Sequence, residues 1–153
     1  MGLDMYLNAK KYISNYDFYP TDKILNKEIK EALGLDHYVD KDETSLEVSL
    51  TVAYWRKANQ IHAWFVKNCQ DGKDECQESY VSREKLVELR DLCNKTVETR
   101  DAYLLPPQAG FFFGSTIIDE YFWEDIESTA KKLTEILDDK ELKNYEFTYR
   151  ASW

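Results

Sequence analysis

Hydrophobic and polar residues alternate in three segments of the chain, and this alternation predicts three β-strands. The first runs through Leu3–Leu7, the second through 46–54 and the third through 145–153. Each has one mainly apolar face, and in the second strand that face comprises Leu46, Val48, Leu50, Val52 and Tyr54. We therefore expect a small sheet that is buried on one side and exposed on the other.

Four further segments carry apolar residues at helical spacing and predict four helices. The first spans 21–33, with Thr21 as its cap and a stripe formed by Ile24, Leu25, Ile29, Ala32 and Leu33. The others span Trp55 to Gln70, Arg83 to about Glu98 after a Ser82 cap, and from near Ile117 to about Leu137. The order β-α-β-α-α-α-β predicts an α+β fold, in which an antiparallel or mixed sheet of at least three strands carries helices on one face. No linker or repeat interrupts the chain, so residues 1–153 are expected to form a single globular domain.

The segment Pro106–Ile126 concentrates the unusual residues of the chain. Its proline pair excludes a continuous helix, and Gly110 and Gly114 bracket Phe111–Phe113, which we expect to be a short buried segment. Ser115 or Thr116 is expected to cap the helix that begins near Ile117. The junction at Gly114 is therefore the best candidate for a site.

Amide groups at such a helix start favour an anion, so Gly114, Ser115 and Thr116 form a candidate phosphate site. Asp119 and Glu120 oppose this interpretation with negative charge, and an ordinary capped helix remains the alternative. The same carboxylates are oxygen ligands of the kind that Mg²⁺ prefers, but a run of charges is typical of a solvated helix face. We predict neither a metal site nor a cofactor.

The helix predicted after the second strand contains the histidine of greatest interest. His62 lies in the middle of an apolar stripe, which is typical of a core histidine and also of a buried catalytic residue. Trp64 falls on the opposite face with Arg56 and Lys67, and we expect it to be exposed as a contact residue.

Composition narrows the classes of function. The formal net charge is −9, which disfavours direct nucleic-acid binding because affinity for phosphate backbones comes largely from Lys and Arg. The acidic balance fits a basic partner protein, imitation of DNA charge or simple solubility. Three cysteines without a C-x-x-C pair indicate neither a zinc ribbon nor a disulfide framework. No signal peptide or membrane span is predicted, so a cytoplasmic location is expected.

The motifs GLDMYL, AYWRKANQIHAWF and GFFFGST followed by DEYF resemble those of an uncharacterised family of small bacteriophage and prophage proteins. The resemblance covers most of the chain. It implies a host bacterial cytoplasm and an accessory role that often acts on host factors. It carries no known activity and no functional residues.

Three hypotheses follow. The first is a binding protein that engages a host or phage protein or sequesters a small ligand. The second is a hydrolase or nucleotide-processing enzyme that uses His62 and Asp119 with an anion site at Gly114–Thr116, although no nucleophile motif accompanies them. The third is a structural or oligomeric protein. Binding is favoured over catalysis, and the candidate ligand or partner residues are Trp55, Arg56, Asn59, His62, Trp64, Gln108, Phe112, Gly114, Ser115, Thr116, Asp119 and Glu120.

Overall fold

A computed structural model describes residues 2–41 and 43–153 of the chain. Four strands and four α-helices follow one another as β1 (Asp4–Ile13), α1 (Pro20–Ala32), β2 (Leu46–Arg56), α2 (Asn59–Cys69), β3 (Ser79–Val81), α3 (Arg83–Thr99), α4 (Glu120–Asp138) and β4 (Glu146–Ser152). Short 3₁₀ turns lie at Asp36–Tyr38, Ala102–Leu104 and Glu141–Asn144. By internal contacts the chain forms two compact units, residues 1–9 with 51–153 and residues 10–50.

The strands form one antiparallel sheet in the order β2-β1-β4-β3, which confirms the predicted α+β fold. The predicted element order is confirmed for seven elements, and β3 is an additional strand. β3 pairs antiparallel with β4, so that Tyr80 lies opposite Thr148. Three residues are too few to show an alternating pattern, which is why the sequence did not reveal β3.

The core of the larger unit joins one face of the sheet to three helices. Met5 and Leu7 of β1 and Phe147 of β4 lie in a single buried cluster with residues from α2, α3 and α4, including Phe65, Leu89 and Ile126. Helix α3 begins as predicted, because the Ser82 hydroxyl accepts a hydrogen bond from the Lys85 amide at 3.2 Å.

The predicted apolar face of β2 is wrong at Leu50 and Tyr54, although Leu46, Val48 and Val52 on the same face are half-buried. Ala53 and Trp55 are buried, whereas Leu50 and Tyr54 are 56% and 43% exposed. Both faces of this strand carry apolar side chains, so alternation alone does not decide which face is inward. The indole of Trp55 decides it, because it buries a larger apolar surface and donates to the Thr129 hydroxyl at 2.8 Å.

Trp55 therefore belongs to a strand, and the predicted helix start at this residue is also wrong. The chain turns sharply at Lys57, which adopts a left-handed conformation with φ of 60°. The Lys57 amide donates to the Leu3 carbonyl at 2.8 Å, and helix α2 begins two residues later at Asn59.

Helix α4 begins at Glu120 rather than near Ile117. The Asp119 carboxylate, not Ser115 or Thr116, caps it by accepting a hydrogen bond from the Phe122 amide at 3.1 Å. A carboxylate is favoured there because the helix dipole places partial positive charge at this end. Ser115 and Thr116 lie exposed in the preceding loop.

We expected Phe111–Phe113 to form a buried segment, and this prediction is wrong. Phe111 is 95% exposed, while Phe112 and Phe113 are half-buried. The Phe113 amide donates to the Gly110 carbonyl at 3.2 Å, and this tight turn sends successive side chains in different directions.

The unit of residues 10–50 has a polar interior. Ile24 and Leu33 of α1 are 61% and 65% exposed, so the predicted apolar stripe is not the buried side of this helix. Asn26 and Lys30 are buried instead, and α1 begins at Pro20 rather than after a Thr21 cap. The Lys30 ammonium donates to the Thr44 hydroxyl at 2.7 Å and to the Tyr38 carbonyl at 3.2 Å, as well as to the Thr44 carbonyl. Hydrogen bonds to backbone and hydroxyl oxygens thus compensate the burial of the Lys30 ammonium.

Throughout the described part of the chain, no helix is both long and apolar enough to cross a membrane.

Candidate ligand-binding site

A pocket of about 620 Å³ lies between helix α2, the loop that follows it and the residues around 104–113. Its wall is mainly apolar and includes Trp64, Leu105 and Phe113. Polar groups interrupt this wall, and the complete lining is Gln60, His62, Ala63, Trp64, Val66, Lys67, Asn68, Gly72, Asp74, Leu92, Leu104, Leu105, Pro106, Gln108 and Phe113. The volume and the mixture of groups are those of a small-molecule site.

A chain of hydrogen bonds runs from the core to the edge of this pocket. The His62 ring lies 2.8 Å from the Tyr149 hydroxyl through Nδ1 and 2.8 Å from Asp74 Oδ2 through Nε2. The other oxygen of Asp74 accepts a hydrogen bond from the Trp153 indole at 3.1 Å. We call these four residues, Tyr149, His62, Asp74 and Trp153, the polar relay.

Elementary hydrogen-bond chemistry fixes the direction of the bonds to Asp74 in the polar relay. An ionised carboxylate only accepts, so His62 Nε2 carries the proton that is donated to Asp74. In the neutral ring Nδ1 is then an acceptor, and the Tyr149 hydroxyl donates to it. Burial, with the nearby Asp74 charge adding to it, raises the pKa of Tyr149 well above its ordinary value and keeps this donor protonated.

Both nitrogens of His62 are therefore occupied by protein groups. The residue is 1% exposed, and the Phe113 ring packs edge-on against it at a centroid distance of 5.0 Å. A general base needs a nitrogen within hydrogen-bond reach of the proton that it takes up. In this arrangement His62 supports the pocket wall and offers no free nitrogen to a bound molecule.

Asn59 holds the loop that contributes Gln108 and Phe113 to the pocket wall. Its buried amide nitrogen donates to the carbonyls of Phe113 and Ser115 at 3.1 and 2.9 Å, and its oxygen accepts from the Gln108 amide at 2.9 Å. Gly114 lies between the two bonded carbonyls with φ of 89°. Three hydrogen bonds from one side chain thus hold the 108–115 loop against the start of α2.

A second, smaller pocket of about 240 Å³ lies beside the start of α4. It is lined by Arg56, Lys57, Asn59, Gln60, Ser115, Ile117, Asp119, Tyr121, Phe122 and Asp125. Burial raises the pKa of Asp125, although a hydrogen bond from Gln60 opposes this effect. Gln60 belongs to the walls of both pockets.

The structure divides the predicted site residues into three groups. His62, Trp64 and Gln108 line the larger pocket, and Arg56, Asn59, Ser115 and Asp119 line the smaller one. Trp55 lies in the core, and Phe112, Gly114, Thr116 and Glu120 line neither of these two pockets.

Three premises of the predicted site are corrected by the geometry. Trp64 is only 9% exposed and is not a surface contact residue, because α2 is buried around most of its circumference. Gly114–Thr116 does not form a helix start, since α4 begins at Glu120. His62 and Asp119 line different pockets, and the carboxylate that bonds His62 is Asp74.

Three members of the polar relay, Asp74, Tyr149 and Trp153, are not among the predicted site residues. Asp74 lies in a polar loop where nothing distinguishes it from its acidic neighbours. Tyr149 belongs to the third alternating segment, but alternation carries no information about the partner of its hydroxyl. Trp153 is the last residue of that segment and is 43% exposed. Among residues 2–41 and 43–153, no group of three His, Cys, Asp or Glu side chains is arranged to hold a metal ion.

No protein-family model, curated protein or solved structure matches this chain.

Proposed function

We propose that the protein binds a small organic molecule in the pocket of about 620 Å³. The observation that carries the proposal is the convergence of an apolar wall with polar side chains in a cavity of ligand size. Asp74 and Gln108 supply polar groups, while Trp64 and Leu105 supply apolar surface.

The walls of this pocket are held in place before any ligand arrives. Asn59 fixes the 108–115 loop with three hydrogen bonds, and His62 joins α2 to the loop that contains Asp74. A site that is already ordered loses little conformational entropy on binding, which favours affinity.

Binding fits the chemistry of the pocket better than catalysis does. Both nitrogens of His62 are hydrogen-bonded to protein groups. Cysteine, serine and threonine are absent from the described lining, so no conventional nucleophile accompanies this histidine. The resemblance to bacteriophage and prophage proteins supports a host bacterial cytoplasm as the setting, with a metabolite or signalling molecule of the host as the type of ligand.

Protein binding is a second candidate, favoured by two exposed aromatic residues, of which Tyr121 lines the smaller pocket. Phe111 is 95% and Tyr121 is 76% exposed. Pull-downs from a bacterial lysate with the Phe111→Ala and Tyr121→Ala variants test it, and retention of every partner by both variants would contradict it.

The principal test is a substitution that fills the pocket with a larger side chain. Ala63 lines the pocket on α2, and Ala63→Trp places an indole in the cavity. Ala109→Trp is the matched control, because Ala109 is exposed in the neighbouring loop and does not line the pocket. Ligand-observed NMR with a mixed library of acidic, neutral and basic aromatic fragments reports binding, and native mass spectrometry of protein purified from a bacterium reports any retained molecule.

We expect wild-type protein and Ala109→Trp to bind the same fragments and Ala63→Trp to lose them. Circular dichroism must show that Ala63→Trp keeps its helical content. Equal fragment binding by wild type and a folded Ala63→Trp variant would overturn the proposal, and so would the absence of any fragment binding to wild type.

A further inference from the structure

We infer that the pocket selects an organic cation, an ammonium-bearing molecule whose charge lies against Asp74 and whose apolar body lies against Trp64 and the leucines. This inference rests on the proposed function, because it names the chemical class of ligand for the same pocket.

The carboxylate of Asp74 has no Lys or Arg partner. Over the described residues, no Lys or Arg nitrogen forms an ion pair with it, and its bonds come from the His62 ring and the Trp153 indole. Its side chain is 22% exposed and lines the pocket. Two carboxylate oxygens offer about four acceptor positions, and the polar relay uses two of them. A carboxylate that is largely removed from water and has acceptor positions left over is stabilised by a bound cation that donates to them.

Both partners of this carboxylate are themselves packed against an aromatic ring. The Phe113 ring packs edge-on against both His62 and Trp153, at centroid distances of 5.0 and 6.0 Å, and these two residues are the ones that bond Asp74. Trp64 supplies a further indole in the pocket wall. Aromatic faces carry partial negative charge and attract ammonium groups, most strongly when water is excluded.

The remaining charges of the wall disfavour an anion. Of the described lining residues, Lys67 is the only Lys or Arg, and it is exposed. A phosphate or carboxylate ligand would meet Asp74 with no Arg in the wall to bind it bidentately. The net charge of −9 further attracts cations toward the protein and repels anions.

Three probes of nearly equal shape test the charge of the ligand. They are 2-(1-naphthyl)ethylamine, 2-(1-naphthyl)ethanol and 1-naphthylacetate, which are cationic, neutral and anionic at pH 7. Affinities are measured by NMR titration or calorimetry at 20 and 200 mM NaCl, for wild type, Asp74→Asn and Asp71→Asn. Asp71→Asn is the matched control, because it removes one negative charge from the same loop at an exposed residue outside the pocket.

In wild type we expect the amine to bind about tenfold more tightly than the alcohol, and the acetate most weakly, since a charge-assisted hydrogen bond contributes about that factor. Added salt should weaken the binding of the amine and leave the affinity for the alcohol unchanged. Asp74→Asn should lower the affinity for the amine to that for the alcohol. Asp71→Asn should keep the tighter binding of the amine.

The outcomes separate this inference from the proposed function. Equal affinities of the amine and the alcohol for wild type, with both lost in Ala63→Trp, would overturn the cation selectivity and leave the pocket intact. Binding of none of the probes, together with no fragment hits, would overturn both. If Asp74→Asn fails to fold, the order of the three probes and the salt response of wild type decide the question.

Discussion

Nε2 of His62 lies 2.8 Å from Oδ2 of Asp74, and this bond joins the middle of a buried helix to an otherwise polar loop. Because Asp74 also accepts from Trp153, one carboxylate connects α2, the loop after it and the end of β4. The Tyr149 hydroxyl completes the series from within the core. Loss of Tyr149 or Asp74 leaves a nitrogen of the buried His62 ring without its partner, which makes the polar relay testable by stability measurements.

Tyr149→Phe should destabilise the protein by about 1–3 kcal/mol, because it leaves the buried Nδ1 of His62 without a donor. Urea unfolding followed by tryptophan fluorescence measures the change. Tyr80→Phe is the control, since Tyr80 is 63% exposed on β3 and should change stability by less than about 0.5 kcal/mol. Equal effects of the two substitutions would show that the Tyr149 hydroxyl makes no net contribution.

Asn59→Ala should loosen the 108–115 loop and cost about 2–4 kcal/mol, because three hydrogen bonds are lost from a buried side chain at about 1 kcal/mol each. Hydrogen exchange detected by mass spectrometry should show faster exchange of the Gln108 amide and its neighbours. Asn94→Ala, an exposed change on α3, should leave both stability and exchange unaltered. Unchanged protection of this loop in Asn59→Ala would contradict the role assigned to Asn59.

The three cysteines should differ in reactivity toward thiol reagents. Burial raises the pKa of Cys69 to about 11 and that of Cys93 to about 12, so both are protonated thiols at pH 8. Cys76 is half-buried in the loop after α2. We expect rapid labelling of one thiol per chain at pH 8, its loss in Cys76→Ser and labelling of all three in denaturant. Intact-mass spectrometry counts the labels, and early modification of Cys69 or Cys93 would contradict the prediction.

The raised pKa of Asp125 predicts that the free energy of unfolding depends on pH. Burial raises its pKa in the folded state, so its contribution to stability is fully present below the pKa of the unfolded chain, about 3.9, and is lost as the pH rises through the raised value. Asp125→Asn should therefore be more stable than wild type at pH 7, and this difference should shrink toward pH 3. Thermal unfolding at several pH values measures it, with the exposed Glu124→Gln as the control. A difference that grows on acidification would have the wrong sign.

Local patterns were sufficient to predict the fold class and several elements. Ser82 followed by a regular apolar stripe predicted α3, and alternation predicted β1 and β4, because each depends on residues near one another in the chain. The face of β2 required information about tertiary packing, since both of its sides carry apolar residues. The start of α4 was ambiguous for a related reason. Thr116 and Asp119 are both good caps, and Asn59 resolves the choice by holding the Ser115 carbonyl in the loop.

The candidate site was only partly predictable. His62, Trp64 and Gln108 were identified, because an isolated buried histidine and aromatic residues stand out in a sequence. Asp74 was not, since its significance depends on a loop conformation that brings it to a residue twelve positions earlier. Trp64 was assigned to the wrong environment because the prediction assumed that α2 is buried on one side only.

Lys30 places a positive charge inside the unit formed by residues 10–50. Its ammonium is surrounded by the carbonyls of Tyr38 and Thr44 and by the Thr44 hydroxyl, and no carboxylate in the described chain pairs with it. Oxygen cages of this composition are the coordination environment of potassium and sodium ions in proteins. The Lys30 ammonium takes the place of such a monovalent cation, and its side chain joins it covalently to the polypeptide. Lys30 therefore supplies, from within the chain, the positive charge to which these carbonyl and hydroxyl oxygens are bonded.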